Sequence, residues 1–182
     1  SVAAAGNVTQ SGALAVSGTT TVTAGANNIT LDKAANNFTG AVSLTGNNVT
    51  LTAANALTLG AISAPGSLTL TAGGIINALN STVSTALFDL KGGTWSQVNG
   101  PLPSFSATDF RLSGGSFLRA LSGDGTSVSP LQITDVYGLQ GIGSSAVLLG
   151  NHYKLANSID AVGTSSWNPA AGYNIGFEPI GS

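Results

Sequence analysis

The chain has 182 residues, of which only 7% are charged and 42% are hydrophobic, with a formal net charge of −2. So many Val, Ile and Leu residues beside so little charge exclude a disordered segment, and without a basic cluster neither nucleic acid nor an anionic membrane surface has an electrostatic handle. There is no cysteine, so no disulfide framework and no thiolate metal site is available, and no apolar run is long enough to suggest membrane insertion. The chain starts at Ser1 with no charged region ahead of an apolar one, and it reads as a piece excised from a longer protein.

In chain order, strand-like runs follow pairs of asparagines: Asn27 and Asn28 before ITLD, Asn36 and Asn37 before FTG, Asn47 and Asn48 before VTLT. Ile29 and Leu31 recur as Val49 and Leu51, then as Leu68 and Leu70. Val22 recurs as Val42 and Ile62, and Phe38 as Leu57 and Ile76, so every step is 19 or 20 residues. Three short alternating segments fit into each step, too short for a tetratricopeptide or ankyrin unit and too strand-like for a helical solenoid. The expected fold is all-β, a parallel β-helix of roughly 19–20 residues per coil with three short strands per coil. Ile29 and Leu31 point inward and Thr30 and Asp32 outward, with Val49 above Ile29 and Leu68 above Val49. Asparagines at the turns are expected to bond their counterparts one coil away. The first 80 residues carry only two charged side chains, Asp32 and Lys33, which suits a stack where aligned like charges would repel at every coil.

Residues 1–82 form the regular repeats. In 83–182 the same solenoid is expected to continue with irregular loops, because longer inserts (KGGTWSQVNGPLPS and SGDGTSVSPLQ) separate alternating runs. FDL (Phe88, Leu90), DFRL (Phe110, Leu112), LQI (Leu131, Ile133) and HYKL (Tyr153, Leu155) read as inward positions of further coils. Neither end reads as capped, so open strand edges are expected to give end-to-end self-association or a marginally stable fragment.

The run NNFTGAVSLTGNNVTLTAANALTLG resembles the repeats of filamentous haemagglutinin-type exoproteins, adhesins that Gram-negative bacteria export by two-partner secretion. FDLKGGTWSQ, FSATDFRLSGGSFLRALSGDGT, DVYGLQGIGS and YKLANSID, followed by Trp and FEPIG, are similar in order to a segment of such proteins. Related segments often carry Asp where this chain has Ser158. The resemblance implies a right-handed parallel β-helix at the cell surface or in the medium. It also implies an outer-membrane export partner, host or matrix glycans or surface proteins as targets, and a role in attachment or biofilm formation.

Fold alone does not settle function, since β-helices also serve as polysaccharide lyases and hydrolases. A cleaving site would draw on Asp109, Arg111, Arg119, Asp124, Asp135, His152, Lys154, Asp160 and Glu178, with two carboxyls at catalytic separation. The expectation is instead that these are solvated loop and edge charges, and that the chain is not an enzyme. His152 lacks a second ligand at zinc spacing, and SGDGTS lacks the acidic run of a calcium loop, so no metal and no cofactor is expected. Trp95, Trp167 and Tyr173 lie in glycine-rich stretches and could stack on sugar rings, or could plug gaps where the coil changes shape. Asn7, Asn28, Asn37, Asn48 and Asn80 head Asn-x-Ser/Thr sequons, open to glycosylation or simply turn asparagines followed by strand threonines. Thr21 with Thr23, Thr50 with Thr52 and Thr69 with Thr71 raise an ice-binding ladder. The 20-residue register sets Ala41, Ser43, Ala61 and Ser63 against the first pair, which leaves these threonines as solvent-facing strand residues.

Overall fold

A computed structural model describes residues 1–170 and 173–181. Alternation of apolar and small polar residues winds the first two thirds into a parallel β-solenoid. Its strands are β1 (Val2–Ala3), β2 (Val8–Thr9), β3 (Ala15–Val16), β4 (Thr20–Thr23), β5 (Ile29–Leu31), β6 (Asn37–Phe38), β7 (Val42–Thr45), β8 (Asn48–Ala53), β9 (Leu57–Ser63), β10 (Ser67–Asn77), β11 (Val83–Val98), β12 (Phe105–Arg111) and β13 (Ser116–Ala120). Every pairing among them is parallel.

The main inward column is the expected one. Val8 lies against Ile29, Ile29 against Val49, Val49 against Leu68, Leu68 against Phe88 and Phe88 against Phe110. Leu31, Leu51, Leu70 and Leu90 form its neighbour. All of these but Val8 are buried, and burying each such side chain contributes about 1.5–3 kcal/mol before its ordering cost. The backbone of one coil bonds the next, so no coil is complete without its neighbours.

One column differs from the 20-residue expectation. Val22 pairs with Leu44, not Val42, and Leu44 pairs with Ile62, while Val42 faces Thr20 and Leu59. Val42 and Leu44 are both fully buried, so two successive inward positions are apolar and the period alone could not choose between them. The lengths also differ, because β10 and β11 run 11 and 16 residues around what should be a corner. The stretch KGGTWSQV, expected as a loop, is therefore strand, with a register irregularity between Leu70 and Ile75. Gly73 makes that bend possible, since a Cβ there would overlap the carbonyl oxygen of Ala54 one coil below. Gly73→Ala should cost about 2–3 kcal/mol in a denaturant titration, whereas Gly12→Ala, where a Cβ meets nothing, should leave the midpoint in place.

Asn36, the first residue of its pair, turns inward and is completely buried. Its Nδ2 donates to Leu31 O (3.2 Å), Thr52 O (3.1 Å) and Gln10 Oε1 (2.9 Å), and its Oδ1 accepts from Leu14 N (2.8 Å) and Gln10 Nε2 (2.7 Å). One amide thus ties three successive coils at a corner where backbone groups cannot all pair with each other.

Toward residue 120 the filling changes from aliphatic to aromatic. Phe88, Trp95, Phe105, Phe110 and Phe117 form one cluster, with Trp95 stacked on Phe117 (5.7 Å) and Phe88 on Phe110 (5.4 Å). There the regular winding gives way, and at this end alone the structure differs from the expectation of uncapped ends. A short helix α1 (Val136–Gly141), N-capped by Asp135 through Gly138 N (2.9 Å), a 3-10 turn (Ile142–Ser144) and a second short helix α2 (Ala146–Leu149) occupy this end. Side chains then satisfy four backbone groups of the last strands. Tyr137 Oη accepts from Ala107 N (2.9 Å) and donates to Ala107 O (3.1 Å), Ser144 Oγ accepts from Phe117 N (2.8 Å), and Ser166 Oγ donates to Thr108 O (2.5 Å). Tyr137 packs on Phe105 and Phe110, and the buried Trp167 packs on Tyr137 and Phe110.

LQI and YKL do stack in parallel as β14 (Leu131–Ile133) and β15 (Tyr153–Leu155), Leu131 against Tyr153. They form their own two-stranded ladder over a small cluster of Ala120, Leu131 and Ile133. Leu155, expected inward, is exposed, because no further coil lies over it among the described residues.

Candidate functional site

The solenoid presents three kinds of surface: uncharged outward columns, a charged patch at the change of filling, and the capped end. On the sheet that contains β5, β8 and β10, Thr9, Thr30, Thr50 and Thr69 lie directly over one another, a longer threonine column than the sequence suggested. Thr52 and Thr71 flank it for two coils only, and Thr71 next meets Gly92. On another sheet Thr21 faces Ser43 and Thr23 faces Thr45, two residues beyond the 20-residue register that set Ala41 and Ser43 against them.

Asparagines run beside the threonine column. Asn7 Oδ1 accepts from Asn28 N (2.9 Å), Asn28 Oδ1 accepts from Asn48 Nδ2 (2.9 Å), and Asn48 Oδ1 accepts from Ser67 Oγ (3.0 Å). Asn37 Oδ1 accepts from Asn55 Nδ2 (3.4 Å). The amide nitrogen of the Asn48 sequon is thus spent on the ladder, while Asn7 and Asn80 are exposed.

The columns end in charge. Thr69 faces Asp89, and Asp89 faces Arg111 on the next coil. Arg111 pairs with Asp109 at 2.5 Å, a hydrogen bond that holds the guanidinium still further in its charged form. Asp109 also accepts from Asn168 N (2.9 Å), and Asp89 from Ser113 Oγ (2.6 Å) with Lys91 at 3.8 Å. Asp124 accepts from Thr126 N and Oγ1 within an exposed turn, contacts that hold its carboxyl below the usual range.

Arg119 is a different case. Expected on the surface, it is buried, with an acceptor for each of its three nitrogens: Nε to Asp135 Oδ2 (2.7 Å), Nη1 to Gln97 Oε1 (2.5 Å) and Nη2 to Pro103 O (2.8 Å), and the guanidinium over the Phe105 ring. Gln97, also buried, passes the network on to Ala78 O and Ser81 O. Sequence reading missed Gln97 and Tyr137 as organising groups, and it expected Asn36 to bond a counterpart asparagine instead of Gln10 and backbone groups. Gln97 showed only as a polar residue at an inward place in β11, and Tyr137, on the short helix α1, gave no signal.

The structure brings some of the candidate charges together, pairing Asp109 with Arg111 and Arg119 with Asp135 and setting Asp135 and Asp160 in one cleft, but not all of them to one point. Asp109 and Arg111 sit on β12, Arg119 and Asp135 at the cap, Asp124 in its turn, and His152 and Lys154 around β15. Glu178 is held by its backbone, whose N–H donates to Gln140 Oε1 (2.8 Å) and whose carbonyl accepts from Gln140 Nε2 (3.1 Å), which fastens this segment to α1. Among the described residues, no group of three His, Cys, Asp or Glu side chains is placed to hold a metal ion. A cleft of about 310 Å3 lies at the cap, lined by Asp135, Tyr137, Ser158, Asp160 and Trp167 among others.

Of the aromatic candidates for sugar stacking, Trp95 and Trp167 are 0% and 1% exposed. Each fills the core where aliphatic packing gives way to rings, so neither offers a face to a sugar. Tyr173 is exposed, on a strand (Tyr173–Asn174) that pairs antiparallel with Pro169–Ala170. These are the only two tryptophans, so the native protein should show blue-shifted emission and weak acrylamide quenching. Addition of soluble glycans should leave that emission unchanged, and a ligand-dependent red shift or quench would contradict the burial.

Comparison with known proteins agrees with the repeat geometry. A family described as "Repeats of unknown function (DUF5649)" matches residues 1–45 and again 46–98. The chain belongs to that repeat family. The first matched repeat holds two rungs of the main column, Val8 and Ile29, and the second holds Val49, Leu68 and Phe88. The family unit therefore spans more than one coil, and its boundary at Thr45 is the end of β7. No curated protein and no solved structure matches the chain.

Proposed function

We propose that this member of the repeat family is a shaft segment of a large exported bacterial surface adhesin. Its job is to project or space a binding region for attachment or biofilm formation. The observation that carries the reading is the unbroken inward column from Val8 to Phe110, which makes a stacked shaft whose sides, up to the charged patch at Asp89, Asp109 and Arg111, are mostly small, uncharged residues. Such sides suit a spacer, because they offer neighbours few charges and few large apolar groups. The likeness of its repeats and later motifs to filamentous haemagglutinin-type exoproteins supports export by two-partner secretion and a place at the cell surface. Direct contact with host or matrix glycans or proteins would fall to the exposed loops of the cap, where Tyr173 is the remaining aromatic candidate.

The test is to insert the chain between a cell-surface anchor and a small binder of known target, and to measure capture of target held behind a polymer layer. A spacer should raise capture relative to the same fusion without it, and a scrambled insert of equal length should not. No gain would overturn the proposal. So would release of new reducing ends or unsaturated products from uronate-containing or neutral bacterial polysaccharides, which would make the chain a polysaccharide-cleaving enzyme.

A further inference from the structure

β11 leaves its ladder at Val98, which pairs with Ala120, and the chain turns at Asn99 and Gly100. Both residues are exposed, and both have φ angles in the left-handed region, +66° and +140°. Asn99 is the one asparagine in the sequence that is followed by glycine. The side-chain amide of an asparagine can be attacked by the backbone nitrogen of the next residue, and a glycine there has no side chain to crowd the approach. The space beside Gly100 is open, since a Cβ on it would meet nothing within 4 Å. One contact restrains the attack, because the Gly100 N–H donates to Leu121 O (3.1 Å). Further along the same loop the Pro103 carbonyl accepts from the buried Arg119 (2.8 Å), so the loop is pinned at two points.

We infer that Asn99 is a site of spontaneous deamidation, gated by the Gly100–Leu121 hydrogen bond, and that its product loosens the Arg119 network. The Gly100 nitrogen gives up its proton to solvent and bonds Asn99 Cγ, and Nδ2 leaves as ammonia. The resulting succinimide takes up one water and opens at either carbonyl, to aspartate or to isoaspartate. The bond to Leu121 O is a brake, because a nitrogen whose proton is held by a carbonyl attacks only when the turn opens. Isoaspartate routes the main chain through the former side-chain carbon. That adds one methylene and one carboxylate to the turn that leads into Pro101 and Pro103, so the Pro103 carbonyl no longer sits at the Arg119 fork. The chemistry makes the cap age with time while the aliphatic coils are untouched.

The test incubates native and urea-unfolded chain side by side at mildly alkaline pH and follows every asparagine by peptide mapping. Asn99 should convert first in both, and about tenfold or more slowly in the native chain, the factor set by opening of the turn. Asn157 is followed by serine and its amide is tied to Thr134 O (3.0 Å) and Ser158 O (2.9 Å), so it should stay intact in the native chain. Arg119→Ala frees the Pro103 carbonyl and should raise the native rate toward the unfolded one, and Asn99→Gln should abolish conversion at this position. Isoaspartyl protein separated by ion exchange should show faster hydrogen exchange across residues 135–144 than fresh protein. No conversion at Asn99 in the native chain, or earlier conversion of another asparagine, would overturn the site. Equal native and unfolded rates would overturn the gate, a comparison that needs no variant to fold. Unchanged exchange in the converted protein would overturn the link to Arg119.

Discussion

Replacing Arg119 by Ala should cost about 3 kcal/mol, because it empties a buried site in which the guanidinium pairs with the half-buried Asp135 and serves two further acceptors. The guanidinium fills a site made by Asp135, Gln97 and Pro103, and its side chain is only 5% exposed. Removing it leaves the Asp135 carboxylate without its counterion, the Gln97 oxygen without a donor, and the Pro103 carbonyl facing a gap. Arg119→Lys should recover only part of the loss, since an ammonium cannot serve three acceptors set out for a planar fork. The damage should stay near the cap. Asp135 also caps α1, so hydrogen exchange should speed up across residues 135–144 and the 99–104 loop, while Leu51, Leu70 and their neighbours stay protected. Uniform loss of protection along the solenoid would contradict this assignment.

The second large effect is expected at Asn36. Asn36→Ala should cost about 2–3 kcal/mol, because it takes the partner from Leu14 N, Leu31 O and Thr52 O around a side chain that is completely buried. Asn36→Leu should do no better. It fills the volume but satisfies none of the three groups. In a stack stabilised by nearest-neighbour contacts, the break should fray the first coils and leave those after residue 67 intact. Hydrogen exchange should therefore show early opening of Val8 to Leu31 with protection kept at Leu68 and Phe88. A variant as stable as the parent would mean that the amide is not the tie between coils.

Both sites show what could and could not be read from the sequence. The column Ile29, Val49, Leu68 was legible because a strand flanked by Asn and Thr repeats with little change in length. The column through Val22 was not. Two adjacent inward positions, Val42 and Leu44, are both apolar, and the steps on either side are unequal, so periodicity favoured the wrong partner. The two glycines of KGGTWSQV suggested a loop. In the structure Gly93, at φ +86°, lies under the Gly74 carbonyl, so the glycines mark a close backbone approach inside a strand.

The cap was hidden for a different reason. Helices of six and four residues show too little of a 3.6-residue period to stand out, and the closing groups are single side chains whose partners are 27 to 58 residues away. The indoles were misplaced for a related reason. A tryptophan between glycines has the composition of an exposed loop, and only the three-dimensional change from aliphatic to aromatic filling shows why Trp95 and Trp167 are interior.

The central claim is the register of the stack, and the absence of cysteine gives a clean background for testing it. Thr30 lies opposite Thr50, and Thr50 opposite Thr69, each about 4.8 Å apart across one coil, while Thr30 and Thr69 are two coils, about 10 Å, apart. Cysteine pairs at these positions should separate accordingly under mild oxidation. Thr30→Cys with Thr50→Cys, and Thr50→Cys with Thr69→Cys, should form intrachain disulfides, and Thr30→Cys with Thr69→Cys should not. Crosslinking of the two-coil pair as readily as the one-coil pairs, or failure of both one-coil pairs, would contradict the wound stack.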